Sequence, residues 1–294
     1  MKAISCSLVV IACVGLLSAQ QGNDPEELLR LAKQAKQGHR YLEGINFLNR
    51  LLEKTGLKDA IRREALFLRA ELMFKSEDYS GAQRGFEAFV RRYRGSEKVT
   101  EAIRMQFECA LRMAEYGEPQ KLLGIPIFKT SRPGLELIKV LLSEYPYEEF
   151  SDGYRLWLAD YYFKKKDYVE AAGQYETIYR IYQDKPSSSI ALFKLGLCKF
   201  KMFDSVDYDV MVLKEASKHL QEFIAKFSRH GLAPRARRML KEIDERLAEK
   251  EFKIAQFYID KGKPKAAKIY LRSLLKRYPK TRWAKEAKRM LKDR

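Results

Sequence analysis

Three histidines, four cysteines and a crowded set of lysines and arginines are the residues of this 294-residue chain whose types could do chemistry. His39, His219 and His230 are scattered, and neither they nor the cysteines show metal-ligand spacing. The sequence holds no His-Glu-x-x-His element, no glycine-rich phosphate loop and no Gly-x-Ser-x-Gly nucleophile turn. Carboxylates are many, but they alternate with cations as solvated helix faces do, and no acid–base pair stands apart. The sequence therefore predicts neither an enzyme nor a bound metal or cofactor.

The cysteines divide by position. Residues 1–19 read as a signal peptide: Lys2 is positive, Ile4 to Leu17 is apolar, and Leu17-Ser18-Ala19 offers a small residue before a cut. The stretch is short for a membrane span. Val10-Ile11-Ala12-Cys13 has the shape of a lipoprotein box, which makes Cys13 a candidate lipidation site beside the plain cleaved signal. Cys6 lies too early for that role. Either reading predicts an exported, periplasmic protein. Cys109 and Cys198 each sit among apolar neighbours of an amphipathic helix; they read as small buried thiols, with pairing in an oxidising compartment as the alternative.

The cations carry the strongest signal. Net charge is +18, and Arg229 to Arg294 holds 22 Lys and Arg against 8 Asp and Glu. Lys265, Lys268, Arg272 and Lys276 are spaced as one helical stripe, and Arg282, Lys285, Arg289 and Lys292 extend it. Such a surface steers an acidic protein partner or an anionic lipid surface, or simply solvates the chain. Nucleic acid would fit the charge alone, but the export signal argues against it. Two further pairs, Phe74-Lys75 and Phe163-Lys164, set an aromatic beside a cation. They suit an extended peptide in a groove, or else the rings pack on the next repeat.

The elements that must position these groups repeat along the chain. Ala255, Tyr258, Pro264, Ala267, Leu271, Leu274 and Tyr278 recur in register as Ala159, Tyr162, Tyr168, Ala171, Tyr175, Ile178 and Tyr182. They recur again as Ala70, Met73, Tyr79, Ala82, Phe86, Phe89 and Tyr93. Small residues at helix contacts, a turn before the second helix and a closing aromatic form the tetratricopeptide pattern, a helix-turn-helix unit of ~34 residues. Ala32, Tyr41, Gly44, Leu48 and Leu51 place a weaker first copy, whose first helix is opened by Pro25 and Glu26. The hydrophobic fraction of 46% and the scarcity of β-branched alternation agree with an all-α solenoid of about five to six repeats. The division expected is N-terminal repeats with a loop over 20–130, and C-terminal repeats with a basic capping helix over 131–294.

Two interruptions stand out. Gly117 and Pro119 break the helix, Leu122 to Gly134 has too much Gly and Pro for regular helix, and its Leu123, Ile125, Ile127 and Phe128 are expected to pack back on the array before a helix from Gly134 to Tyr145 completes the unit. Residues 203–212 lengthen the turn of the fifth unit. The tyrosines 154, 161, 162, 168, 175, 179 and 182 crowd the fourth unit, most of them at core positions.

Taken together, the repeats, the Tyr-Pro endings at 145–146 and 278–279, the 123–133 loop and the segment Arg246 to Tyr258 resemble the BamD family. That family is the tetratricopeptide component of the outer-membrane β-barrel assembly machinery, and the resemblance covers nearly all of the chain after the leader. It implies a non-catalytic scaffold at the inner face of the outer membrane. Its C-terminal repeats would dock on a POTRA-containing barrel-forming partner, and its N-terminal repeats would help recognise unfolded barrel-protein substrates. The basic stripe would then be the docking face, and the groove with Phe74 and Phe163 the substrate side. A soluble periplasmic adaptor similar to CpoB, and a peripheral protein bound to anionic lipid, are the other classes the sequence leaves open.

Overall fold

The computed structural model describes residues 24–292, apart from 123–124, 131 and 204–209. The expectations for the leader, Cys6, Cys13 and Leu123 lie outside those residues, as does the middle of the 203–212 insertion. So do the side chains of Ile125, Ile127 and Phe128. Two compact units divide after Pro146.

The first unit contains α1 (Pro25–Gln37), α2 (Tyr41–Leu52), α3 (Asp59–Lys75), α4 (Tyr79–Arg92), α5 (Val99–Tyr116) and α6 (Arg132–Glu144). The second contains α7 (Ser151–Lys164), α8 (Tyr168–Ile181), α9 (Pro186–Met202), α10 (Met211–Lys226), α11 (Ala233–Asp260), α12 (Pro264–Arg277) and α13 (Arg282–Lys292). Within each unit consecutive helices pack as antiparallel neighbours, so the chain is a tetratricopeptide array of six helix pairs and a final capping helix among the described residues. Within each unit, each pair shares apolar side chains with its neighbours, because one pair cannot bury both of its faces. Phe86 and Phe89 are fully buried against Phe67 in one pair, and Phe193 meets Phe223 in another.

The register of the repeats is enforced by their turns. Gly262 has φ +68°, as its type allows. His39, Glu77 and Lys166 take φ +56°, +66° and +64° at the corresponding position of three other pairs. The hydrogen bonds repeat with them. The amide after each left-handed residue donates back into the first helix: Arg40 to Ala35, Asp78 to Met73, Asp167 to Tyr162 and Lys263 to Tyr258. Asp78 and Asp167 then cap the next helix, accepting from the N–H groups of Gly81 (2.9 Å) and Glu170 (3.2 Å). At the far end, Tyr93, Tyr182, Phe227 and Tyr278 stop their helices with φ between −111° and −128° and ψ between 45° and 51°. Their rings turn back on the core.

One element departs from an all-helical reading. Between α5 and α6 the backbone forms an antiparallel hairpin of β1 (Glu118–Leu122) and β2 (Ile125–Thr130), with Glu118 opposite Thr130 and an irregularity at Gln120/Lys121. Gly117, at φ +73°, ends α5 and lets the chain turn into it. A two-stranded ribbon has open edges, so Pro119 and Pro126 cost it little. The chain then enters α6 at Arg132, and Gly134 seats that helix against the backbone of α5.

Candidate interaction surface

Helix α12 presents two opposed faces. Ala267, Leu271 and Leu274 are buried. At 100° per residue, Lys265, Lys268, Arg272 and Lys276 fall on the other side, where all but the half-buried Lys268 are exposed. None of the four has a carboxylate within 4.0 Å among the described residues. Some cations elsewhere are matched, as Lys33 is with Glu64 at 2.6 Å and Lys194 with Asp160 at 2.6 Å. The reason is compositional: between Lys261 and Lys292 the single acidic residue is Glu286.

Helix α13 is mixed. Arg282 is held by Glu245, which accepts its backbone N–H at 3.0 Å and faces its guanidinium at 3.8 Å; the guanidinium also lies 4.8 Å from the Trp283 ring centroid. Arg289 pairs with Glu286 at 3.0 Å. Lys285 and Lys292 are exposed, with no such pair among the described residues. The α12 stripe, Lys285 and Lys292 therefore carry uncompensated charge, while Arg282 and Arg289 are partly spent inside the molecule.

The aromatic–cation pairs sit differently. Phe74 is half-buried and meets Tyr79 edge-on at 5.4 Å; Phe163 meets Tyr168 in the same geometry at 5.4 Å and also packs toward the cluster of Phe193 and Leu220. Lys75 and Lys164 are exposed at their helix ends. The two pairs belong to different units, and each ring is engaged by its own turn tyrosine.

The tyrosine cluster separates into roles that sequence spacing did not distinguish. Tyr175 is fully buried, and its hydroxyl donates to Asp160, which also binds Lys194. Burial and that carboxylate push the Tyr175 phenol well above its ordinary range. Tyr179 reaches Glu222 at 2.5 Å and accepts from Lys226. On α7, Trp157 stacks on Tyr161 at 5.6 Å, with Lys165 5.7 Å from the same tyrosine ring. The signal for the first network was an Asp fifteen residues before a core Tyr.

Cys109 and Cys198 are buried free thiols in separate units. Burial raises both, Cys198 up to about 12, so neither is a thiolate at neutral pH. Burial lowers His219. Among the described residues no group of His, Cys, Asp and Glu is placed to hold a metal ion, and no helix is long and apolar enough to cross a membrane.

The profile of the YfiO family, described as "Outer membrane lipoprotein", matches residues 131–293, which is more than half of the chain and includes the whole basic surface. The chain belongs to this family. A tetratricopeptide repeat profile matches residues 64–96, the pair formed by α3 and α4. The chain is also similar to the outer membrane protein assembly factor BamD of Caulobacter vibrioides, at 24% identity over 144 residues. That alignment covers 49% of this chain and 47% of the relative, so the chain spans about half the length of the curated protein it matches. Among solved structures, a tetratricopeptide repeat protein of Parabacteroides merdae has 10% identity and TM-score 0.38 over 91% of this chain and 97% of its own. The tetratricopeptide protein YrrB has 14% identity and TM-score 0.37 over 75% and 95%. With this membership, the array is a protein-interaction scaffold of the BamD-like class.

Proposed function

We propose that this protein is a non-catalytic scaffold of outer-membrane β-barrel assembly, and that it docks through the basic face of α12 and α13 on an acidic surface of a POTRA-containing partner. The observation that carries the reading is the unpaired stripe Lys265, Lys268, Arg272 and Lys276, which lies inside the region matched by the YfiO family. Exposed cations without internal carboxylates give up little on binding, because no pair has to be broken first. Arg282, Lys285 and Arg289 extend the same face. Phe74, Lys75, Phe163 and Lys164 belong to the substrate-recognition part of this reading, with unfolded barrel proteins as the ligand. Export to the periplasm, attachment to the inner face of the outer membrane and lipidation at Cys13 complete it.

The test is affinity capture of the tagged chain from its native envelope, with mass spectrometry of the captured proteins. A POTRA-containing barrel protein should be recovered and should be lost when Lys268, Arg272 and Lys276 are changed together to Glu. Recovery should fall as salt rises, since the Debye length shrinks from about 10 Å at 0.1 M to about 3 Å at 1 M. Capture of soluble cell-wall or division proteins alone overturns the reading, and so does binding to anionic vesicles without any protein partner.

A further inference from the structure

A cavity of about 370 Å³ opens between α10, α11 and α12 of the second unit. Leu247, Ile254, Ile269 and Tyr270 give it an apolar wall, and Lys214, Lys250 and Arg277 stand around it with one carboxylate, Glu251. Its size lies within the roughly 300–1,000 Å³ of pockets that take compact ligands.

Two observations say what fits. The first is apolar exposure in an unexpected place. Ile269 is 69% exposed, on a helix whose solvent side is otherwise largely cationic. The second is the disposition of charge. Each of the four glutamates of α11 has a cation partner: Glu242 with Arg246 (2.7 Å), Glu245 with Arg282 (3.8 Å), Glu249 with Lys253 (3.5 Å) and Glu251, through Oε1, with Arg277 (2.9 Å), while Glu251 Oε2 is buried without a hydrogen-bond partner. Glu215, on α10, is engaged by Lys199 at 2.7 Å. Lys214 and Lys250 are thus left at the cavity with no carboxylate within 4.0 Å among the described residues. An apolar wall beside two uncompensated ammonium groups is complementary to a large apolar side chain with carboxylates next to it.

The cavity also borders the stripe. Ile269 follows Lys268, Ser273 follows Arg272 and Arg277 follows Lys276, so the cavity flank and the basic face are neighbouring columns of one helix. We propose that this cavity is a docking site for an acidic peptide segment that inserts one large apolar side chain. The assignment goes beyond the docking face, because it stands on the cavity's own lining.

The test uses the full-length chain with labelled isoleucine methyl groups and two synthetic dodecapeptides. Both carry the same Asp and Glu residues; one has a central Phe and the other a central Ser. The Phe peptide should shift the Ile254 and Ile269 signals saturably, leave those of the core residues Ile103 and Ile138 in place, and bind at least tenfold more tightly than the Ser peptide. Lys250→Glu, an exchange at the cavity rim, should weaken the Phe peptide at least fivefold with circular dichroism unchanged. Ser273→Trp, which fills the cavity, should bring the two peptides to equal affinity. Changing Lys268, Arg272 and Lys276 to Glu should weaken both peptides alike and keep their ratio. Equal binding of the two peptides to the parent chain, or unmoved Ile254 and Ile269 signals, overturns the proposal. Failure of the envelope capture with the tenfold ratio intact overturns the docking reading alone.

Discussion

Replacing Gly134 by Ala adds one methyl group where the structure leaves it no room. A Cβ built there would lie 2.3 Å from the backbone N of Ala114, 2.5 Å from the carbonyl O of Ala110 and 2.7 Å from the carbonyl C of Met113. All three are backbone atoms of α5, so no side chain can rotate away. The helices must separate, and a gap of 0.5–1 Å forfeits a quarter to a half of each dispersion contact across it. Ile138, Leu141 and Leu142, all buried beyond Gly134 on α6, would lose packing together. Overpacking of this kind costs about 1–3 kcal/mol, and the rigid backbone places it at the upper end. Gly173 is the control. It also lies within a helix, α8, but its Cβ would meet nothing within 4 Å, and Gly→Ala in an open helical position gains about 0.5–1 kcal/mol. The same substitution should therefore act with opposite signs. Both tryptophans, Trp157 and Trp283, lie in the second unit. Far-ultraviolet circular dichroism follows helix in both units, whereas tryptophan fluorescence follows the second. Gly134→Ala should lower the dichroism midpoint on heating by roughly 5–10 °C, at ~2–4 °C per kcal/mol. Gly173→Ala should raise the fluorescence midpoint. A Gly134→Ala chain that melts within a degree of the parent refutes the close-contact argument.

Three further outcomes follow from particular contacts. Asp160→Ala strands the Tyr175 hydroxyl in the core and frees Lys194, at a cost of about 1–3 kcal/mol; Tyr175→Phe, which removes the donor and leaves Asp160 its lysine, should cost about 1 kcal/mol, and urea unfolding ranks the two. Glu77→Gly and Lys166→Gly should each stabilise by roughly 0.5–1 kcal/mol in the same assay, because a left-handed residue with a side chain carries about 1–2 kcal/mol of strain that glycine relieves while loosening the unfolded chain. His219 is lowered chiefly by burial, with Lys199 and Lys218 assisting and Glu222 and Glu176 opposing. As pH falls through about 6.5 the unfolded chain takes up a proton that the folded chain refuses, so stability declines between pH 7.5 and pH 5.5, and His219→Gln should flatten that slope in urea midpoints read across the interval.

The repeat core was legible because its signal is periodic. Ala70, Ala159 and Ala255 recur with their partners at fixed offsets, and each is buried where a small residue admits the neighbouring helix. The left-handed turn was visible only at Gly262. His39, Glu77 and Lys166 adopt the same conformation because the packing of their pairs imposes it, and their side-chain types carry no mark of it. The hairpin escaped for a related reason: Gly117, Pro119, Pro126 and Gly134 announce that the helix is interrupted, but strand pairing depends on which residues meet across the ribbon. Gly134 reads from sequence as the end of the irregular stretch and the start of the next helix; that helix in fact begins at Arg132, and Gly134, inside it, serves the contact with α5. At the candidate surface, spacing found the stripe. It could not show that Glu245 and Glu286 occupy Arg282 and Arg289, or that Glu251 holds Arg277, since those pairings need the fold.

The stripe can be separated from a merely solvating face by its cost to the isolated chain. Lys265, Lys268, Arg272 and Lys276 follow one another at intervals of three and four residues, so each cation has a like charge one turn away. Like-charged pairs at that spacing destabilise a helix by about 0.2–0.5 kcal/mol each, and opposite charges stabilise it by a similar amount. Arg272→Glu removes two repulsive steps and makes two attractive ones, with Lys268 and Lys276. It should stabilise the free chain by up to about 1–2 kcal/mol at low salt, and the gain should shrink toward zero at 1 M, where the Debye length is about 3 Å. The same substitution should weaken recovery of the partner. Urea unfolding at the two salt concentrations, beside capture from the envelope, reads both effects. If stability rises while recovery is unchanged, the stripe serves solubility alone. If stability rises and recovery falls, the repulsion kept within α12 is relieved by a partner's carboxylates, as expected of a surface built to be covered.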